Sequence, residues 1–246
     1  AIVGIAIGVV LLPDVSRHLR AGNTAAVMDS QNRSFEFAML LTLPAAIALF
    51  VIPREIVGIL FERGVFTAKD TIYTAEALRL FAVGLPAFVL IKVFSPAYFA
   101  RHDTKTPMTY AGWSLTANTI GSVVLFFLFR SLGWFPHLGI AVATTLGGWM
   151  NALLLYKGLT DKNHFIVDQR LKKALPRIFF SAVLMGIFLY FSAFLMKEIM
   201  SGISVTYLNF FALVVLVATG MLFYFLVILL TGAASLQQLR SIVRRI

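Results

Sequence analysis

Thr206–Leu230 reads TYLNFFALVVLVATGMLFYFLVILL, and this stretch decides the fold. It contains no charged residue and exceeds the roughly 20 apolar residues that carry a helix across a bilayer. A helix that is apolar on every side has no place on the surface of a soluble domain, so lipid must solvate much of it. The same signature recurs towards the N-terminus. Pro176–Met196, Leu138–Tyr156, Met108–Phe129, a long segment over Ala68–Ala100, and Phe35–Ile52 are each apolar over a spanning length.

Composition agrees with this reading. Hydrophobic residues make up 59% of the 246 and charged residues 13%, against about 25% charged in an average soluble domain. Mean hydropathy is +0.88. Phe occurs 23 times, and Gly and Pro sit inside the apolar runs, as lipid-spanning helices tolerate. Outer-membrane strands would alternate apolar and polar residues over about 10 positions; these runs are continuous and longer. The predicted class is all-α integral membrane, a polytopic transmembrane helix bundle. The opening run, Ala1–Leu12, is too short to cross and reads as the back half of a spanning helix in a longer protein. It lacks the basic start and small-residue cleavage site of a signal peptide.

Punctuation between the runs is equally legible. Asn23 is placed to cap a helix that starts wet and turns apolar from Phe35. Pro53–Glu62 is short and amphipathic, Gly64 breaks it, and Thr67 to Asp70 has capping-box spacing. Arg101–Pro107 is a hydrophilic turn, and Lys157–Leu175 is the longest polar loop. Gly139, Ala141, Ala143, Gly147 and Gly148 suit close helix packing.

The net charge of +10 does not point to nucleic acid, because the charges are scattered through short gaps rather than clustered on one face. They set topology instead. With the C-terminus in the cytoplasm, the cytoplasmic segments hold 14 of the 21 Lys and Arg residues and the opposite side holds 5. The absence of cysteine removes disulfides and thiolate metal sites. His18, His102, His137 and His164 are dispersed over loops without a second ligand at helical spacing, and no serine has a paired base, so neither a metal, a cofactor nor an enzyme is expected.

A resemblance becomes visible between Leu60 and Met108. F-E-R-G-x-F-T at Phe61–Thr67, G-L-P at Gly84–Pro86, K-V-F-S-P-A-Y-F-A-R at Lys92–Arg101 and D-T-K-T-P at Asp103–Pro107 resemble the MurJ/MviN family of lipid II flippases. Gly4–His18 is similar to that family's eighth helix and following loop. The resemblance is carried by motifs as far as Pro107 and by span number and spacing beyond it. It implies the C-terminal half of a two-lobed exporter of the MOP superfamily. Residues 1–159 would then supply C-terminal-lobe helices, the first truncated. Residues 160–246 would supply two additional helices with a basic loop and a basic cytoplasmic tail. The implied partners are membrane lipid, a lipid-linked cell-wall precursor and the missing N-terminal half. The implied location is the bacterial cytoplasmic membrane. A drug or oligosaccharide-lipid exporter of the same superfamily, or a non-transporting scaffold, is the alternative.

Moving an anionic diphosphate head through hydrocarbon calls for a wet cationic path and no bond chemistry. Lys92, flanked by Ile91 and Val93, is the first candidate for substrate binding, with snorkelling to the interface as the competing reading. Arg79 is a second candidate, three residues from Glu76 at ion-pair spacing. Glu36, three residues from Arg33, and the turn residues Arg101, Asp103 and Lys105 are candidates for a gate or for ion pairs. Pro44, Gly84, Pro86 and Pro96 are candidate hinges for alternating access. Few carboxylates lie in the spans, Glu36 and Glu76 being the candidates, so ion coupling is left open beside the membrane potential.

Overall fold

The structure is a computed structural model that describes residues 2–199 and 206–232. The basic tail with Arg240, Arg244 and Arg245, and most of the Lys197–Val205 connection, lie outside the described residues. Eight helices are seen among the described residues: α1 (Ile2–Arg20), α2 (Thr24–Val51), α3 (Pro53–Phe61), α4 (Ala68–Phe99), α5 (Lys105–Ser131), α6 (Pro136–Asp161), α7 (Gln169–Ile199) and α8 (Thr206–Thr231). Six of them are long and apolar enough to cross a membrane: α2 and α4 to α8. The chain is thus an all-helical, multi-pass membrane protein.

The polar punctuation works as local chemistry requires. The Ala26 N–H donates to Asn23 Oδ1 at 3.0 Å, which caps α2. Asp70 Oδ2 accepts from the Thr67 N–H at 2.9 Å and from its hydroxyl at 2.7 Å, which fixes the start of α4. Gly64 takes φ +61, a left-handed turn that costs glycine nothing. The helices outrun the apolar segments that define them. α6 continues through Asp161 and α7 begins at Gln169, so the polar loop between them shrinks to residues 162–168. Pro13 lies inside α1. Beyond it, Arg17 pairs with Asp14 at 2.7 Å, and Ser30 donates to the same carboxylate at 2.5 Å, holding the polar end of α1 against α2.

The chain is divided into two compact units. One comprises the chain up to Thr42 and Leu80–Leu171; the other comprises Leu43–Arg79 and the chain from Lys172 onward. The chain passes between units inside α2, beside Pro44, inside α4, shortly before Gly84 and Pro86, and near the start of α7, after Leu171.

In the first unit, α5 and α6 pack closely because α6 presents small residues to its neighbours. A Cβ on Gly139 would stand 2.6 Å from the backbone carbonyl of Leu125, and one on Gly148 would stand 2.6 Å from the Phe88 ring. α5 otherwise lies open, with Pro107 and Ser114 its buried residues, and Ser114 Oγ donates to the Gly147 carbonyl at 2.5 Å. In the second unit, α7 and α8 meet at the stacked Phe188 and Phe223 rings, 4.7 Å between centroids, and α3 packs on α8.

Candidate functional site

Three polar clusters and one solitary cation stand out. The first cluster is in the first unit, where α2 meets the loop before α7. Arg33 pairs with Glu36 one turn on and with Asp168 of the loop, and its Nε lies 3.4 Å from Asp29. Arg170 reaches the other oxygen of Glu36 at 3.2 Å. Glu36 is only 7% exposed, so its charge depends on these two guanidiniums. Asn32, 1% exposed, accepts from the Asp168 N–H at 3.1 Å and donates to the Ile166 carbonyl at 2.9 Å. Phe165 is buried against the rings of Phe35, Phe94 and Tyr156. The loop that reads as the longest polar segment is therefore latched to α2 by an aromatic plug and an ion network. Arg33 with Glu36 was legible as a helical pair; Asp168, Arg170 and Asn32 were not, since they lie more than a hundred residues apart or carry no spacing signal.

The second cluster is the turn between α4 and α5. Asp103 accepts from the Thr106 N–H at 3.0 Å and from its hydroxyl at 2.8 Å, which caps α5. These donors hold the Asp103 carboxyl below its usual range. Lys162 Nζ lies 3.4 Å from the same carboxylate. His164, in the same loop as Lys162, has its pKa lowered by burial first and then by Arg101 and Lys162. Arg101 Nη1 donates to the Ala97 carbonyl at 2.6 Å, closing the end of α4, and partial burial pulls its pKa down. Lys105 opens α5 and is exposed. Of the turn candidates, Asp103 and Arg101 are therefore brought together with Lys162 and His164, two residues that sequence reading did not single out.

The third cluster is in the second unit. Glu76 accepts from Arg79 Nη1 at 3.0 Å and from Arg54 Nη2 at 3.0 Å. Arg79 Nε donates to the Phe50 carbonyl at 3.0 Å, and its guanidinium lies over the Phe50 ring. Arg79 is therefore held by partners on three sides.

Lys92 has none of this. It is exposed on α4, in the first unit, and makes no ion pair among the described residues. It shares a face with Phe81, Leu85, Phe88, Ser95 and Phe99 at helical spacing, and of these Ser95 turns its hydroxyl to its own helix, 2.7 Å from the Ile91 carbonyl. The result is one ammonium in an otherwise apolar stripe along a spanning helix.

Of the hinge candidates, Pro44 lies inside α2, and Pro86 and Pro96 lie inside α4. Pro86 deprives the Ala82 carbonyl of its helical donor. On either side of that gap, Thr145 Oγ1 donates to the Leu80 carbonyl at 2.9 Å and Trp149 Nε1 donates to the Val83 carbonyl at 3.0 Å. Gly84 admits α6 here: a Cβ on it would stand 3.0 Å from Thr145 Oγ1. No group of three or more metal-ligating side chains is found among the described residues.

The sequence profile described as "Lipid II flippase MurJ" matches residues 1–212. A protein of Rhizobium meliloti named "Probable lipid II flippase MurJ" is 41% identical over 99% of this chain and 44% of its own length. One of the same name from Rhizobium tropici is 34% identical over 99% of this chain and 45% of its own. The chain thus spans less than half the length of these relatives. A solved structure titled "Lipid II flippase MurJ, inward closed conformation" superposes with a TM-score of 0.64, covering 91% of this chain and 42% of that one at 23% identity, which establishes a shared fold. With motifs, fold and sequence profile in agreement, the chain belongs to the lipid II flippase MurJ family.

Proposed function

We propose that this chain is the C-terminal part of a flippase that moves a lipid-linked peptidoglycan precursor across the bacterial cytoplasmic membrane by alternating access. Family membership supports the substrate class. The single observation that carries the reading is Lys92, an exposed ammonium without an ion pair among the described residues, in an apolar stripe of a spanning helix. Such a charge is costly in hydrocarbon and persists where it meets water or an anion. A diphosphate is the anion that the substrate class offers, and it accepts charge-assisted hydrogen bonds from an ammonium.

In this reading no bond is made or broken, and the remaining half of the relatives' length supplies the other lobe. Residues 1–159 contribute helices to the C-terminal lobe, residues 160–246 add two further spans, and the C-terminus faces the cytoplasm. Pro44, Gly84 and Pro86 stand where the chain changes unit, which supports them as the points at which α2 and α4 bend. The turn of Arg101, Asp103 and Lys105 acts with Lys162 as a closure at the cytoplasmic end. Arg79 and Glu76 hold α4 against the end of α2.

The test is growth of a bacterium depleted of its own flippase, rescued by the full-length protein. Lys92→Gln at matched protein level is expected to abolish rescue and Lys92→Arg to retain it. Full growth with Lys92→Gln would remove the cation from the mechanism. Failure of the stable, inserted parent protein to rescue would favour another cargo, a drug or an oligosaccharide lipid, or a scaffold.

A further inference from the structure

The segment between α2 and α4 carries apolar side chains that nothing in the flipping mechanism uses. α3 ends at Phe61, and the chain reverses over Arg63–Phe66, where the Phe66 N–H donates to the Arg63 carbonyl at 3.1 Å. Val65 stands at this reversal 98% exposed, and Phe61 is 56% exposed with its ring 6.3 Å from that of Phe66. A fully exposed valine at the tip of a tight turn is out of place in water, where turns favour Asn, Asp, Ser and Gly.

Several of the polar groups around the tip are tied back within the hairpin. Glu62 Oε2 accepts from the Thr71 hydroxyl at 2.6 Å. Arg63 folds back to donate to the Leu60 carbonyl. Asp70 is bonded to the backbone and hydroxyl of Thr67, and Lys69 Nζ lies 5.7 Å from the centre of the Tyr73 ring. The turn thus sets an apolar tip beside exposed charges, Glu62, Arg63 and Lys69, which suits the polar headgroup layer.

Connectivity fixes where this face lies. α2 and α4 both span, so the segment joining Val51 to Ala68 must sit where their ends emerge from the membrane. α3 is amphipathic and packs on α8, whose first turn carries Tyr207, 87% exposed, an aromatic suited to the headgroup level. We infer that the Phe61–Val65 tip is a lipid anchor, inserted at the boundary of headgroups and acyl chains in the leaflet where α2 ends and α4 begins. Its partner is the bilayer surface itself. The anchor holds the outer end of the α2–α4 pair at fixed depth while α3 lies along the interface. The inference needs only that α2 and α4 span, so its failure would leave the flippase reading untouched.

The test uses site-directed spin labels on the full-length protein reconstituted in phospholipid vesicles, stripped of any cysteine elsewhere; this chain brings none. Labels at Val65→Cys and Phe61→Cys are compared with Lys172→Cys as the aqueous reference and Val124→Cys, on the open face of α5, as the lipid reference. Collision rates with oxygen and with a water-soluble nickel chelate, equilibrated on both sides, report depth. The Val65 label is expected to show a several-fold higher oxygen-to-nickel ratio than the Lys172 label, matching a depth of about 5–10 Å. The Phe61 label is expected to follow it. A ratio equal to that of Lys172 at both sites overturns the anchor by placing the tip in water. Shielding from both reagents with immobilised spectra overturns it too, by placing the tip against protein.

Discussion

Arg79 of α4 donates from Nε to the carbonyl of Phe50, 3.0 Å away, at the C-terminal end of α2. The last carbonyls of a helix lack donors of their own, and here the following Pro53 denies them one more. The guanidinium supplies a donor and places positive charge where the helix dipole is negative. Glu76, bonded to Arg79 and Arg54, holds the cap in place. Arg79→Ala is expected to lower stability by about 1–2 kcal/mol, read as a drop in thermal midpoint in detergent micelles. Arg79→Lys should recover part of it, having the charge but not the forked donor set. Equal midpoints for the parent and the alanine variant would show that the cap contributes nothing.

Glu36 lies buried between Arg33 and Arg170. Removing its charge deprives Arg170 of its carboxylate among the described residues and leaves Arg33 with Asp168 and Asp29. Glu36→Gln is expected to cost about 2–3 kcal/mol, the lower part of the range for a broken buried pair because both arginines reach some solvent. A double-mutant cycle between Arg33 and Asp168, measured by thermal unfolding, should give a coupling above about 1 kcal/mol. Additive losses in that cycle would mean the loop before α7 is held by Phe165 and Asn32 and not by this ion pair.

Gly139 meets the backbone of α5. A methyl group there would stand 2.6 Å from the carbonyl carbon and oxygen of Leu125, neither of which can swing aside. Gly139→Ala is expected to push α5 from α6 and cost about 1–3 kcal/mol. Gly112→Ala on α5, where nothing lies within 4 Å, is the control and should leave the midpoint unchanged or raise it slightly, since alanine favours the helix. Disulfide trapping across α5 and α6 would report the displacement directly.

Acid should loosen the turn that holds Asp103 and the loop that holds His164, which Lys162 joins. His164 is depressed from 6.5 by burial and by Arg101 and Lys162, so the unfolded chain takes up its proton first. Asp103 is depressed from 3.8 by the Thr106 donors, with the same sign. Both contributions are complete above pH 6.5. The histidine part is lost as pH falls below 6.5, and the aspartate part as it falls below 3.8. Thermal midpoints recorded from pH 8 to pH 3 should therefore decline in two stages. His164→Asn should erase the upper stage and leave the lower. A midpoint that rises on going from pH 7 to pH 5 would contradict the sign.

The spans were legible because lipid imposes a one-dimensional code: an uncharged run of the right length can only cross. The helix starts at Asn23 and Thr67 and the break at Gly64 were legible because caps and left-handed turns are local. The ends of α6 and α7 were not, since polar residues such as Lys157, Asp161 and Lys172 form helix as readily outside the membrane as apolar ones do within it. The Arg33–Glu36 pair follows from helical spacing, whereas Asp168 and Asn32 join it only because Phe165 is drawn into a nest of rings.

By itself, then, the sequence determined how many times the chain crosses, which residues punctuate the crossings and which family the motifs belong to. Each depends on neighbours within a few positions or on transfer from water to oil, which every residue carries with it. Only the tertiary structure decided which charges are neutralised and which stand alone. Arg79 and Glu36 have partners supplied by other segments, and Lys92 makes no ion pair among the described residues. An ion pair depends on distance in space, falling steeply beyond contact, and spacing along the chain specifies that distance only within a single helix.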